Sequence, residues 1–178
     1  MPERAVPVSP DKKLAAVCGL FCPACSLFIG SMEDPARLQA TAERLGLPVE
    51  RLECHGCRSD TRGFFCNDHC KMTDCAAERG LGFCGECSDY PCEELTAFQA
   101  QMPHRSELWE SQERIIDAGY KQWYAEMTEH YSCPECRTLN SAYDISCRTC
   151  GTTPSCAFVR LHKDEIVQSV KRIGPKEQ

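Results

Sequence analysis

Apolar residues recur at helical spacing in several stretches of the chain, and short clusters of cysteine interrupt them. Leu14 to Ile29 is apolar enough to be buried, and Cys22-Pro23 suits a helix start because proline in the first turn gives up a donor that has no partner there. Asp34-Pro35 followed by ARLQATAERLG predicts a capped helix with Leu38, Ala42 and Leu45 on one face, ended by Gly46. A short helix is expected at Asp74-CAAERG, closed by Gly80, and another at EELTAF, stopped by Met102-Pro103. From Ser106 to Glu129 the apolar positions Leu108, Ile115, Ile116, Tyr120, Trp123, Tyr124 and Met127 predict two helices, Glu107–Ala118 and Lys121–Glu129. Gly119 is read as a left-handed cap between them, and the aromatic residues as core. A final helix is expected over roughly 163–172.

This pattern divides the chain into a flexible arm (1–13), a cysteine-rich lobe (14–104), a helical pair (105–130), a knuckle segment (131–152) and a C-terminal helix with tail (153–178). Sixteen of 178 residues are cysteine, a density that marks a scaffold held by disulfides or metal. MPERAVPVSPDKK lacks the apolar run of a secretion signal, and no apolar run reaches the roughly 20 residues of a membrane span. The expectation is a cytoplasmic protein whose thiols are reduced and metal-bound.

The formal net charge is −6, and cysteines bound as thiolates would make it more negative. Met1–Ala100 carries −5, Gln101–Tyr131 −3, and only the remainder is positive, at +2. A phosphate backbone needs clustered Lys and Arg, so nucleic acid is disfavoured as a partner; a protein partner is compatible with this surface.

The strongest local signal is CPECRTLNSAYDISCRTCG. Its two CxxC knuckles, Cys133/Cys136 and Cys147/Cys150, supply the four thiolates of a closed tetrahedral zinc site, and a small β zinc ribbon is the expected fold. Iron fits the same geometry. Upstream, eleven cysteines fall in the clusters Cys18/Cys22/Cys25, Cys54/Cys57, Cys66/Cys70, Cys75 and Cys84/Cys87/Cys92. Eleven does not divide by four, so His55 or His69 is a candidate nitrogen ligand. Short loop closure groups Cys54, Cys57, Cys66 and Cys70, and places Cys84 and Cys87 with Cys75 or Cys92.

The spacing Cys18-x3-Cys22-x2-Cys25 is also that of radical enzymes holding a four-iron cluster, but the chain leaves no room for their barrel. Those three cysteines are read instead as a fastener closed by a distant ligand; if nothing closes them, they are the candidate reactive site. Cys156 has no obvious partner and is read as a free, partly buried thiol. No nucleophile–base pair, phosphate loop or HExxH helix is present, so no catalytic residue is assigned.

The order CGLFCPAC, CHGC, CNDHC, then FCGECSDYPC and a helix, resembles the bacterial and archaeal family catalogued as domain of unknown function 3795, over roughly 17–158. The resemblance implies zinc binding by these cysteines and names no activity. The expected protein is thus a small, metal-stabilised, mostly α chain with irregular loops, a cysteine-rich α lobe and a β zinc ribbon. It would hold about three or four zinc ions and act as a binding or adaptor module. An iron–sulfur redox protein and an enzyme or sensor with an open zinc site are the alternatives.

Overall fold

The computed structural model describes residues 9–173. Residues 1–8 of the expected arm, and the tail from 174, lie outside the described residues. Seven α-helices follow in order: α1 (Ser26–Met32), α2 (Pro35–Leu45), α3 (Met72–Glu78), α4 (Glu93–Gln99), α5 (Leu108–Ala118), α6 (Tyr120–Tyr131) and α7 (Ala157–Ile173), with short 3-10 and π turns between them.

Helix α2 forms as its end signals dictate. Asp34 Oδ1 accepts from the Arg37 amide at 3.1 Å, Pro35 opens the first turn, and Gly46 closes the last at φ 65°. Leu38 and Ala42 are buried as expected, whereas Leu45 is 39% exposed. The helix packs on α1 at Gly30, where an added Cβ would meet Leu38 Cβ at 3.1 Å; the missing side chain permits that approach.

Helix α3 starts two residues before Asp74, which therefore lies in the first turn rather than at the cap. Gly119 separates α5 from α6 at φ 82°, ψ 155°, outside the left-handed helical region expected of it but still a conformation for which glycine is suited. Helix α7 begins six residues earlier than the periodicity suggested, because Phe158 and Val159 are fully buried and extend its apolar face.

The expected small β zinc ribbon is not formed. Among the described residues there is no strand, and the knuckle segment holds a single antiparallel bridge, Ser132 to Leu139. Each knuckle spends its backbone bonds on itself: the Cys133 amide on Thr138 O and the Arg137 amide on Cys133 O, then the Cys147 amide on Thr152 O and the Gly151 amide on Cys147 O. Between them the buried Asn140 side chain does what a ladder would do. Its Nδ2 donates to Thr138 O at 2.9 Å and to Ser155 O at 3.3 Å, and its Oδ1 accepts from the Arg148 amide at 3.0 Å. The Cys133 amide on Thr138 O and the Asn140 amide on Tyr131 O make the one bridge, and the pairing does not extend beyond it.

Phe21, between two ligand candidates, sits in the largest apolar core. Its ring meets Trp123 at 5.9 Å and Tyr124 at 5.0 Å edge-on, and stacks on Tyr131, which in turn stacks on Phe158. The CGLFCPAC loop, the helical pair and α7 thus share one core. A second core gathers Cys18 and Cys57 with Met72, Ala76, Leu95 and Leu108. Gln112 ties α5 to two loops, its Nε2 donating to Val17 O at 3.0 Å and its Oε1 accepting from the Gly85 amide at 2.8 Å.

Candidate metal centres

The knuckle turns bring Cys133, Cys136, Cys147 and Cys150 together with all four sulfurs within 4.8 Å of one another. Cys133 to Cys150 and Cys136 to Cys147 are both 3.6 Å. A tetrahedral zinc with Zn–S bonds of about 2.3 Å sets its sulfurs about 3.8 Å apart, so this donor set fits the ion.

The surroundings favour thiolate at one end of the set. The Thr152 hydroxyl and amide lower Cys150 to about 6. Burial raises Cys147, but the amides of Cys150 and Thr149 and the Asn140 side chain outweigh it, and the net shift is downward. Cys133 moves the other way, to about 11, with burial the largest cause.

The two knuckles share a device that their sequences repeat, Cys-x-Thr. Thr138 Oγ1 lies 3.3 Å from Cys136 Sγ, and Thr152 Oγ1 lies 3.2 Å from Cys150 Sγ. These threonines, and Asn140, were not singled out from the sequence, although the repeat of CRT and CGT is visible in it.

The upstream cysteines are arranged differently. Cys75, Cys84, Cys87 and Cys92 line a cavity of about 60 Å³ together with Met72, Ala76 and Leu95. Cys84 is pushed up to about 12, by burial and then by the charges of Cys92, Cys75, Cys70 and Cys87. At the open edge Arg79 Nη1 donates to Cys87 Sγ at 3.1 Å and to Asp89 Oδ2 at 2.7 Å.

On the other side, Thr73 Oγ1 stands between Cys57 and Cys70, 3.7 and 3.8 Å from their sulfurs. The Cys54 amide donates to Ser31 Oγ of α1 at 2.9 Å, which brings CHGC against the helix that Cys25 precedes. Burial pushes the Cys18 and Cys22 thiols well up, and the charge of Cys57 adds to both. For Cys22 these effects exceed the opposing Cys57 amide.

His55 Nε2 contacts Glu53 Oε1 at 3.1 Å with its side chain half exposed, and the exposed His69 lies edge-on to Phe64 at 4.8 Å. Cys156 is 1% exposed, more deeply buried than expected. Among the described residues, the knuckle set is the one group of three or more ligand candidates whose donor atoms all fall within 4.8 Å. The sulfurs of the eleven are more widely spaced.

Fold and site together define a cysteine-rich, mainly α-helical protein with a four-thiolate set able to hold a metal ion. Residues 14–97 match the model of the family described as protein of unknown function (DUF3795), which supports the resemblance carried by the cysteine order; the knuckle segment lies beyond the match. No curated protein and no solved structure matches the chain. No described helix is long and apolar enough to cross a membrane.

Proposed function

We propose that the chain is a zinc protein whose metal is structural, and that it serves as a binding module rather than a catalyst. The observation that carries this reading is the knuckle set itself: four sulfurs at tetrahedral spacing, two pairs of them at 3.6 Å. A zinc closed by four thiolates keeps no position for water or substrate, which is the mark of a structural site. The cysteines of the upstream lobe are further ligands on this reading, and the thiols remain reduced because metal occupies them.

The test is element-resolved metal analysis of anaerobically purified protein beside the double variant Cys136→Ser/Cys147→Ser. Zinc in the parent, with one equivalent fewer in the variant, supports the proposal. A parent that is brown and iron-loaded, or a variant with an unchanged zinc content, overturns it.

A further inference from the structure

The knuckle sulfurs make two contacts across the set, Cys133 to Cys150 and Cys136 to Cys147, each at 3.6 Å. A disulfide needs about 2.05 Å between its sulfurs, so each of these pairs has only about 1.5 Å to close. Within a knuckle the first sulfur is met by backbone. The Cys133 sulfur is turned to the amides of Glu135 and Cys136, and the Cys147 sulfur to those of Thr149 and Cys150.

Exposure sets an order within each pair. Cys150 is exposed and Cys136 half-buried, whereas Cys133 and Cys147 are buried. Each contact across the set therefore joins an outer thiol, which a small solute can reach, to an inner one held beside it.

We infer that the knuckle centre is a peroxide-sensitive redox element, in which oxidation joins Cys133 to Cys150 and Cys136 to Cys147 and expels the metal. This rests on the zinc reading above and adds the regulation of that site. Hydrogen peroxide is attacked first by the outer sulfur: the Cys150 thiolate forms an S–O bond, the O–O bond breaks, and the departing hydroxide takes up a proton. The Cys133 thiolate then attacks that sulfur. The S–S bond forms, the S–O bond breaks, and the second hydroxide is also protonated to water. For each pair, two thiolates, one hydrogen peroxide and two protons give one disulfide and two waters; the sulfurs lose two electrons and the peroxide gains them. Cys136 and Cys147 follow the same course with a second peroxide. Thiolate is the metal ligand, so zinc leaves once the sulfurs are paired.

The two links are nested, one closing residues 136–147 inside the other closing 133–150. They tie the knuckles to each other as the metal does, which links within each knuckle would not. A dithiol reductant reverses the change by thiol–disulfide exchange and restores the metal ligands.

The test treats the zinc-loaded full chain with hydrogen peroxide, follows zinc release with a chromogenic chelator, then alkylates the remaining thiols and maps the links by trypsin digestion and mass spectrometry. Cleavage after Lys121, Arg137, Arg148 and Arg160 places Cys133 and Cys136 in peptide 122–137, Cys147 in 138–148, and Cys150 with Cys156 in 149–160. Peptide 122–137 should be found joined to both of the others, with fragmentation assigning the links to Cys133–Cys150 and Cys136–Cys147. The double variant Cys136→Ser/Cys147→Ser should release one zinc equivalent fewer than the parent and lose the link to 138–148. Links confined within each knuckle, links to Cys156 or to upstream cysteines, or knuckle thiols that stay reduced or pass to sulfonic acid, overturn the redox element and leave the zinc reading standing. A parent that holds no zinc before peroxide is added overturns both.

Discussion

Arg37 and Asp144 meet through two parallel hydrogen bonds, Nη2 to Oδ1 at 2.9 Å and Nη1 to Oδ2 at 3.2 Å, joining α2 to the loop between the knuckles. Both side chains are largely buried, at 18% and 14% exposure. Arg148 to Glu33 and Ser26 to Ser141 lie on the same seam. Forked pairing of this kind fixes orientation as well as energy. Arg37→Ala should therefore cost about 1.5–3 kcal/mol, read as a shift of the denaturation midpoint, and Arg37→Lys should recover only part of it. A double-mutant cycle with Asp144→Ala that gives no coupling would show the seam to be held by packing alone.

Metal removal is expected to unfold the chain. Structural zinc contributes on the order of 10–16 kcal/mol per site, comparable with the entire stability of an ordinary domain. A strong chelator should abolish the thermal transition and much of the helical far-UV signal. Unchanged spectra after complete metal loss, verified by elemental analysis, would rule out the structural role.

Gln112 is fully buried with both ends of its amide engaged. Gln112→Ala leaves the Gly85 amide without its partner, whereas Val17 O keeps the bond from the Cys84 amide, and the unsatisfied group costs about 1–3 kcal/mol. The loss should exceed that of Gln122→Ala on the exposed face of α6, whose side chain bonds only to Glu126. Equal midpoints for the two variants would contradict the clamp.

Tyr124 presents the opposite case, a buried hydroxyl with no partner among the protein groups. Burial, with the charges of Asp11 and Cys22, pushes its phenol up to about 12. Tyr124→Phe removes that polar atom and keeps the contact with Phe21, so stability should stay within about 1 kcal/mol or rise. Tyr124→Ala should lose about 3–5 kcal/mol, since the ring is what packs. A large loss in the phenylalanine variant would mean that the hydroxyl is bonded.

Glu107 lies between two histidines, 2.8 Å from His130 Nε2 and 2.8 Å from His162 Nε2. Burial raises its carboxyl, but the hydrogen bonds and charges of His130 and His162 outweigh this and leave it below the usual value. A carboxylate depressed in the folded state adds stability that is complete above its unfolded value of about 4.3 and is lost as pH falls through the folded one. Glu107→Gln should therefore be less stable than the parent near pH ~6, with the gap closing only below about pH 4 as the carboxylate takes up its proton. A gap that widens on acidification would reverse the assignment.

Local signals were readable where the sequence itself supplies both ends of an element. Asp34, Pro35 and Gly46 are such signals, and α2 follows them residue for residue. The knuckle set was readable for the same reason, because each CxxC turn is built from four consecutive residues. The pairing stops at the single bridge of Ser132 to Leu139, and beyond it Asn140, one polar residue in a ten-residue spacer, holds the segment through Ser155 and Arg148, contacts that exist only in the folded chain. Arg137 was missed as well. It holds φ 65° in the same register where the second knuckle has Gly151 at 76°. Short loop closure offers one grouping of the eleven upstream thiols, but contacts such as Thr73 with Cys57 and Cys70 exist only once α3 has packed.

Phe21 has a bearing on how the chain can be dissected. Residues 14–97 carry this ring, but Trp123, Tyr124 and Tyr131, against which it packs, all lie downstream. Excised on its own, the matched stretch would present an aromatic surface to water beside its thiols, inviting self-association. The portable unit is therefore longer than the recognisable one. Any other chain that carries the same stretch must bring a cover of its own for this position.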